Sequence, residues 1–120
     1  MRRDARAYLW DVQDAADAIT SFTLGRNLDD YLNDRMLRSA VERQFEIIGE
    51  ALNQLRRADA TLAARIPELS RIVGFRNVLI HGYDEIDSTG VWRVVETDLV
   101  PLHERVAGLL QELDRKAESD

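Results

Sequence analysis

The 120-residue sequence contains no cysteine and no long apolar run. The absence of cysteine excludes disulfides and thiolate zinc sites, which suits a protein of the reducing cytoplasm. No stretch approaches the roughly 18 consecutive apolar residues of a membrane-spanning helix. The first ten residues, MRRDARAYLW, lack the uninterrupted apolar core of a signal peptide. We therefore expect a cytoplasmic protein that does not enter a membrane.

Positive charge is scarce overall, since the formal net charge is −6. Its distribution is uneven, because residues 35–76 carry eight arginines against five acidic residues, a net of +3, whereas both ends of the chain are acidic. Local potential decides where a phosphate backbone docks, and the arginine fork matches phosphate oxygens well. This pattern favours nucleic-acid contact at the middle of the chain. The alternative is that these arginines pair with Glu42, Glu46, Glu50 and their neighbours along solvated helix faces.

Apolar residues recur with helical spacing, and neither strand-like alternation nor an internal repeat is present. Helices are predicted over residues 4–24, 30–57, 67–81 and 91–117, with a short helical turn before Pro67. Pro101 falls inside the last helix and is expected to kink it or split it in two. The sequence thus predicts an all-α, up-and-down bundle of four main helices, forming a single domain over residues 1–120.

Gly49 and Gly74 stand inside predicted helices, where glycine costs about 1 kcal/mol relative to alanine. We expect Gly49 and Gly74 to lie where another part of the molecule approaches closely. The helix that contains Gly49 also carries a wide apolar stripe, formed by Leu37, Val41, Phe45, Ile48, Leu52 and Leu55 with flanking residues. Such a stripe predicts burial on more than one side, either within the bundle or across a subunit interface.

The segment FRNVLIHGY, residues 75–83, concentrates the side chains capable of chemistry. Burial of a guanidinium or an imidazole without a partner is unfavourable, so such groups usually have a defined role. Asn77 and His81 are four residues apart and share a helix face, whereas Arg76 and His81 do not. Tyr83 leaves the helix beside His81. The segment therefore predicts a site for phosphate chemistry without a metal.

Each of these residues has a structural alternative. Arg76 can be an ion-pair partner of Glu50. His81 can serve only to end the helix, ahead of Gly82 as the left-handed terminal residue. Tyr83 can simply pack its ring at the helix end.

The segment GFRNVLIHGY, read as Arg-x4-His-x-Tyr, resembles the motif of HepT-like toxins in the HEPN superfamily. The resemblance extends to AVERQFEIIGEAL (Ala40–Leu52), to Val91–Trp92 and to DLVPL (Asp98–Leu102), and so covers most of the chain. It implies an HEPN-like fold and a metal-independent endoribonuclease, without a cofactor, whose homodimer brings two motifs together across a cleft. It also implies a minimal nucleotidyltransferase antitoxin, MntA-like, which adds AMP to the tyrosine matching Tyr83 and so silences the toxin.

The residue types suit cleavage of RNA, which carries its own nucleophile in the 2′-hydroxyl. The imidazole of His81 is the side-chain type best suited to moving protons at neutral pH. Arg76 can hold the phosphate and stabilise the charge that develops on it, and Asn77 can orient His81 or bind the phosphate. Because each chain has one motif histidine, a separate acid and base require the second subunit.

The rival hypothesis is a non-catalytic helical module of the HEPN type that keeps the motif for dimerisation or nucleotide binding. The presence of Arg76, His81 and Tyr83 together favours the enzyme. The other histidine, His103, lies on the charged last helix and is expected to be a surface residue. No cluster of histidines and carboxylates with metal-ligand spacing lies near the motif.

Overall fold

Helices make up the fold in the part of the chain that the computed structural model describes, residues 3–82 and 86–119. They are α1 (Ala5–Thr23), α2 (Leu28–Leu32), α3 (Arg35–Ala58), α4 (Ala60–Ala63), α5 (Leu69–His81), α6 (Ser88–Thr97) and α7 (Leu99–Ser119). Within these residues there is no strand, so the all-α prediction is confirmed. The count of four main helices is not confirmed, because two of the predicted helices are each divided. No helix of the described part has the length and apolar character needed to cross a membrane.

The first division falls between α2 and α3. Asp34 caps α3, where its side chain accepts a hydrogen bond of 3.0 Å from the backbone N–H of Leu37. Asn27 caps α2 and forms a reciprocal capping box with Asp30. Aspartate and asparagine side chains compete with the helical backbone for hydrogen bonds and therefore favour helix starts. These two caps make α2 a separate short helix, although the apolar spacing continues across the break.

The second division confirms the predicted split near Pro101, since α6 ends at Thr97 and α7 begins at Leu99. Pro101 is the third residue of α7. In the first turn of a helix the backbone N–H groups have no intrahelical partner, so proline's missing N–H removes no hydrogen bond there. Asp98 at the joint still donates its backbone N–H to the Val94 carbonyl at 2.9 Å. Because α7 begins at Leu99, Pro101 falls within its first turn, where proline is tolerated.

The longest helix, α3, is central and packs mainly against α1 and α5. Its residues Val41, Ile48, Leu52 and Leu55 are completely buried. The wide apolar stripe is thus covered on two sides within one chain, and Met36 near its start remains 79% exposed. The buried residues of α1–α7 and of the turn before α5 join in one hydrophobic cluster. Burial of this apolar surface is the main force that holds α5 against α3.

Gly25, Gly49 and Gly74 lie in different surroundings. Gly25 follows α1 with a φ of +73°, a conformation that side-chain-bearing residues rarely adopt. The expectation of close packing at Gly74 is wrong, because this residue is exposed and a Cβ added to it would meet no atom within 4 Å. Gly49 is buried and does lie at a close approach, but the neighbour is the side chain of Arg76 on α5 and not another backbone.

Candidate active site

Arg76 projects from the side of α5 that faces the core. The buried residues of this helix are Leu69, Ile72, Val73 and Leu79. Arg76 lies among them in the helical repeat, and its side chain is only 21% exposed. A Cβ on Gly49 of α3 would lie 2.6 Å from Cγ of Arg76, and closer still to its Cβ. The missing side chain of Gly49 therefore makes the space through which the arginine leaves α5.

The guanidinium of Arg76 is held at two points. One terminal nitrogen donates to Oε2 of Glu50 at 2.6 Å, and the other donates to Oδ1 of Asn77 at 2.9 Å. The second carboxylate oxygen of Glu50 accepts a hydrogen bond from the Gln54 side chain at 3.0 Å. The alternative interpretation of Arg76 as an ion-pair partner of Glu50 is thus realised in its geometry. The pair is still open to solvent, because the side chains of Arg76 and Glu50 are 21% and 47% exposed.

His81 is the last residue of α5 and is exposed. Asn77 lies one turn earlier and is also exposed, so the two share the outward side of the helix as their spacing predicts. Gly82 ends α5 by donating its backbone N–H to the Val78 carbonyl at 2.8 Å. Its φ of −118° is not left-handed, so that expectation for Gly82 is wrong. The carbonyl of Val78 explains the glycine instead, since an added Cβ would lie 3.1 Å from it. The predicted site residue Tyr83 lies outside the described residues.

The hydrogen bond between Arg76 and Asn77 links two faces of α5 that residue spacing alone keeps separate. Arg76 and His81 start from different faces of α5, as predicted. The long arginine side chain nevertheless reaches Asn77, which belongs to the face of His81. Asn77 therefore connects the guanidinium of Arg76 with the outward face on which His81 lies.

An open cavity of about 400 Å³ lies between α1, α3 and α5, with Arg76 in its wall. Three arginine–carboxylate pairs line it: Arg3 with Asp11 at 2.8 Å, Arg43 with Glu46 at 3.4 Å, and Arg76 with Glu50 at 2.6 Å. The hydrogen bond from Arg3 to Asp11 raises the pKa of the Arg3 guanidinium. Apolar Ile47 and Ile80 complete part of the wall. The pairing of arginines with nearby acids, weighed as the alternative to nucleic-acid contact, therefore holds for Arg43 and Arg76.

Sequence reasoning missed three participants in this region. Gln54 supports Glu50, and the cavity is bordered by Asp11 of α1 and by Arg3, which lies just before that helix. The spacing of Glu50 and Gln54, four residues apart on one helix, was the available signal for the first of these. Nothing in the sequence indicated that the start of α1 would reach the cavity.

The second histidine, His103, lies on α7 and contacts Asp17 on α1. It is absent from the lining of the cavity that Arg76 borders. Over residues 3–82 and 86–119, no group of three or more histidine, aspartate or glutamate side chains is arranged to hold a metal ion.

Fold and site together define an all-α protein whose polar site residues gather toward the end of one helix. Residues 12–109 match the family described as ribonuclease HepT-like, and the chain belongs to this family. It is 33% identical over 105 residues to "Putative RNase MJ1380" of Methanocaldococcus jannaschii, covering 88% of this chain and 95% of that protein. It is 35% identical over 104 residues to "Probable ribonuclease HepT" of Thermococcus cleftensis, covering 85% and 92% respectively. No solved structure matches the chain.

Proposed function

We propose that this chain is a metal-independent endoribonuclease that acts as the toxin of a toxin–antitoxin pair. The observation that carries the proposal is the hydrogen bond of 2.9 Å from Arg76 to Asn77, which brings a guanidinium to the side of α5 that bears His81. A fixed cation and an exposed imidazole carried by the same helix are suited to the phosphodiester of RNA. Membership of the ribonuclease HepT-like family and the names of the two relatives support the same activity.

In the proposed reaction the 2′-hydroxyl of the RNA attacks the adjacent phosphorus. The bond from that oxygen to phosphorus forms as the bond to the 5′-oxygen of the next nucleotide breaks, leaving a 2′,3′-cyclic phosphate. His81 takes or delivers one of the two protons that must move, while Arg76 stabilises the charge on the phosphoryl oxygens. Asn77 orients the guanidinium toward the phosphate. The nucleophile belongs to the substrate, so the protein is not required to activate a water.

A homodimer is part of this proposal, because two proton transfers call for two histidines at one cleft. The outward face of α5 suits such an interface. Gly74 has no atom within 4 Å of an added Cβ, so another helix can approach closely there. Val78, one turn further along, is 58% exposed. Beside it an open groove of about 350 Å³ between α5 and α6 is lined largely by apolar side chains, among them Phe75 and Val91.

The proposed antitoxin is a minimal nucleotidyltransferase that adds AMP to Tyr83. Tyr83 is two residues beyond His81 in the sequence. A nucleotide attached there would place a phosphate near the positive charge of Arg76 and would repel incoming RNA. In the modified protein, the attached AMP would occupy the position that RNA phosphate would otherwise take.

The test of the catalytic proposal is cleavage of RNA by the purified protein in excess EDTA. We expect cleavage to persist and the products to carry 2′,3′-cyclic phosphate ends. Arg76→Ala and His81→Ala should each lower the rate by about 100-fold or more. A wild-type protein that loses all activity in EDTA and regains it with a divalent metal would contradict the mechanism.

The second candidate function is a non-catalytic helical module for binding or dimerisation. The ion pair between Arg76 and Glu50 favours it, because the pair joins α5 to α3 as a structural contact would. Under this alternative, Arg76→Ala lowers the melting temperature and there is no RNA cleavage to lose. The cleavage assay separates the two functions, because the ion pair with Glu50 stabilises the fold under either of them.

A further inference from the structure

Two consecutive residues of α3, Gly49 and Glu50, both act on the same side chain of α5. Gly49 leaves room for the Cβ and Cγ of Arg76, and the Glu50 carboxylate receives its guanidinium at 2.6 Å. Gly49 therefore accommodates the aliphatic stem of the arginine, its Cβ and Cγ, and Glu50 binds the guanidinium. Neither contact is local, since 26 positions separate Glu50 from Arg76.

The contacts extend into a chain of four polar side chains. Gln54 donates to one oxygen of Glu50 at 3.0 Å, Arg76 donates to the other, and Arg76 also donates to Asn77 at 2.9 Å. Both carboxylate oxygens of Glu50 are thus engaged. Hydrogen bonds between charged partners are shorter and stronger than neutral ones, and each restricts the rotation of the groups it joins. Within the described part of the chain, the buried Nε of Arg76 has no hydrogen-bond partner.

An arginine side chain in water has many rotamers, and only a few of them present its planar fork to a phosphate. A guanidinium has five N–H donors, and the contacts with Glu50 and Asn77 occupy two of them. The remaining terminal N–H groups stay on a side chain that lines the open cavity. Fixing the fork before RNA arrives removes the reorganisation that would otherwise accompany the reaction.

We propose that Gly49 and Glu50 are positioning residues for Arg76, with Gly49 setting the path of its stem and Glu50 setting the orientation of its guanidinium toward RNA phosphate. This inference rests on the proposed function for the role of Arg76 in cleavage. Glu50 acts through the arginine and transfers no proton.

The first experiment measures cleavage of a fluorescent single-stranded RNA oligonucleotide of mixed sequence by Glu50→Ala and Glu50→Gln. We expect Glu50→Ala to lower kcat by about 100-fold with a smaller change in KM, because a misplaced charge acts mainly on the transition state. Glu50→Gln keeps an oxygen acceptor of the same size and should recover part of this loss. A kcat for Glu50→Ala at or above the wild-type value would overturn the proposal.

The matched control is Glu112→Gln. Glu112 also joins two parts of the fold through an arginine, since Arg65 donates to its two oxygens at 3.0 and 2.7 Å. It borders a different cavity from the one lined by Arg76. Glu112→Gln should cleave RNA at the wild-type rate. Equal losses in Glu112→Gln and Glu50→Gln would identify a general effect of removing ion pairs and would overturn a specific role for Glu50.

A second experiment measures the rotation of the Arg76 guanidinium directly and needs no RNA. Nitrogen NMR of arginine side chains distinguishes a guanidinium whose terminal groups rotate slowly from one that rotates freely. The Arg76 signals, assigned with Arg76→Lys, should show slow rotation in the wild type and fast rotation in Glu50→Ala, while those of Arg65 stay unchanged. Fast rotation of Arg76 in the wild type would overturn the positioning role even if RNA is cleaved. Slow rotation in a wild type that cuts no RNA would reject the proposed function and leave the positioning contact in place.

Discussion

Asp17 of α1 and His103 of α7 lie 86 positions apart in the sequence and meet across the bundle, with Nε2 of His103 2.8 Å from the Asp17 carboxylate. The contact ties the first helix to the last. It also gives the second histidine of the chain a structural partner away from Arg76. His103 can therefore serve as the control residue when His81 is tested for a role in RNA cleavage.

His81→Ala should lower RNA cleavage by about 100-fold or more, because a general acid or base of this kind contributes that much. Its melting temperature should stay close to that of the wild type, since His81 is exposed at a helix end. His103→Ala should keep the full cleavage rate and lose less than about 1 kcal/mol of unfolding free energy, as is typical of single polar contacts near the surface. Cleavage assays and urea unfolding of both variants check this. A normal rate for His81→Ala would reduce His81 to a helix-end residue.

Gly49→Ala should destabilise the protein by about 1–3 kcal/mol, although alanine is the better helix former by about 1 kcal/mol. The new Cβ would overlap the side chain of Arg76, so α3 and α5 must separate or the arginine must move. Gly108→Ala on α7 is the control, because its added Cβ meets nothing within 4 Å. It should gain about 0.5–1 kcal/mol. Denaturant unfolding measures both, and a stabilised Gly49→Ala would mean that the close approach is easily relieved.

Glu42→Gln should be more stable than the wild type at pH 7 and equally stable in acid. Burial raises the pKa of Glu42 above its ordinary value of 4.5, with Arg38 opposing this and Glu46 adding to it. A raised pKa means that the folded state holds the proton more tightly. The wild type therefore loses stability as the pH rises through this pKa, whereas the neutral glutamine does not. Urea unfolding at pH 7 and below pH 4.5 tests the sign. A variant less stable at neutral pH would show that the charge of Glu42 is stabilising.

Val78→Glu should convert the proposed dimer into a monomer and abolish RNA cleavage, because the charge would enter the interface on α5. Val100→Glu on α7 is a closely matched control, since both valines are 58% exposed. It should leave the dimer and its activity unchanged. Light scattering at micromolar concentration gives the mass of each species. A wild-type monomer that cleaves RNA would rule out the need for a second histidine.

Tyr83→Phe should escape modification by the co-expressed nucleotidyltransferase and stay toxic in its presence. The variant removes only the hydroxyl that would accept AMP. Intact-mass measurement after co-expression should find the wild type heavier by multiples of AMP and Tyr83→Phe unmodified. Peptide mapping that finds AMP on another residue would exclude Tyr83 as the acceptor. An unmodified wild type that is nevertheless neutralised would indicate inhibition by binding alone.

The helices of this protein were predictable where a local signal coincided with the apolar repeat. Pro101 marks the joint between α6 and α7, and Gly25 marks the end of α1, because each imposes a backbone constraint on its own position. The break at Asp34 was not predicted, because the apolar spacing continues across it. Its cap is a side-chain hydrogen bond to the backbone N–H of Leu37, which competes with helix continuation and leaves no mark on the apolar spacing.

The candidate site was predictable as a set of residue types but not as an arrangement. Arg76, Asn77 and His81 are close in sequence, so the motif itself revealed them. Glu50 on α3 was predicted only as an alternative partner of Arg76, because a contact over 26 positions depends on how α3 and α5 pack. A pair of helical glycines likewise shows that the sequence does not reveal how the helices pack. Gly49 and Gly74 look alike in the sequence, and only their orientation separates the buried one from the exposed one.

The central helix α3 has a consequence for how this protein can change by mutation. Ile48 and Leu52 are completely buried in the core, and Gly49 and Glu50, which hold Arg76, lie between them in the sequence. A rigid helix cannot shift one of these residues without the others. A substitution that makes α3 slide or rotate to repair its packing would move the arginine by the same displacement. One movement of α3 therefore changes both the packing of the core and the position of Arg76 in the candidate site. Selection on either property acts on the other as well.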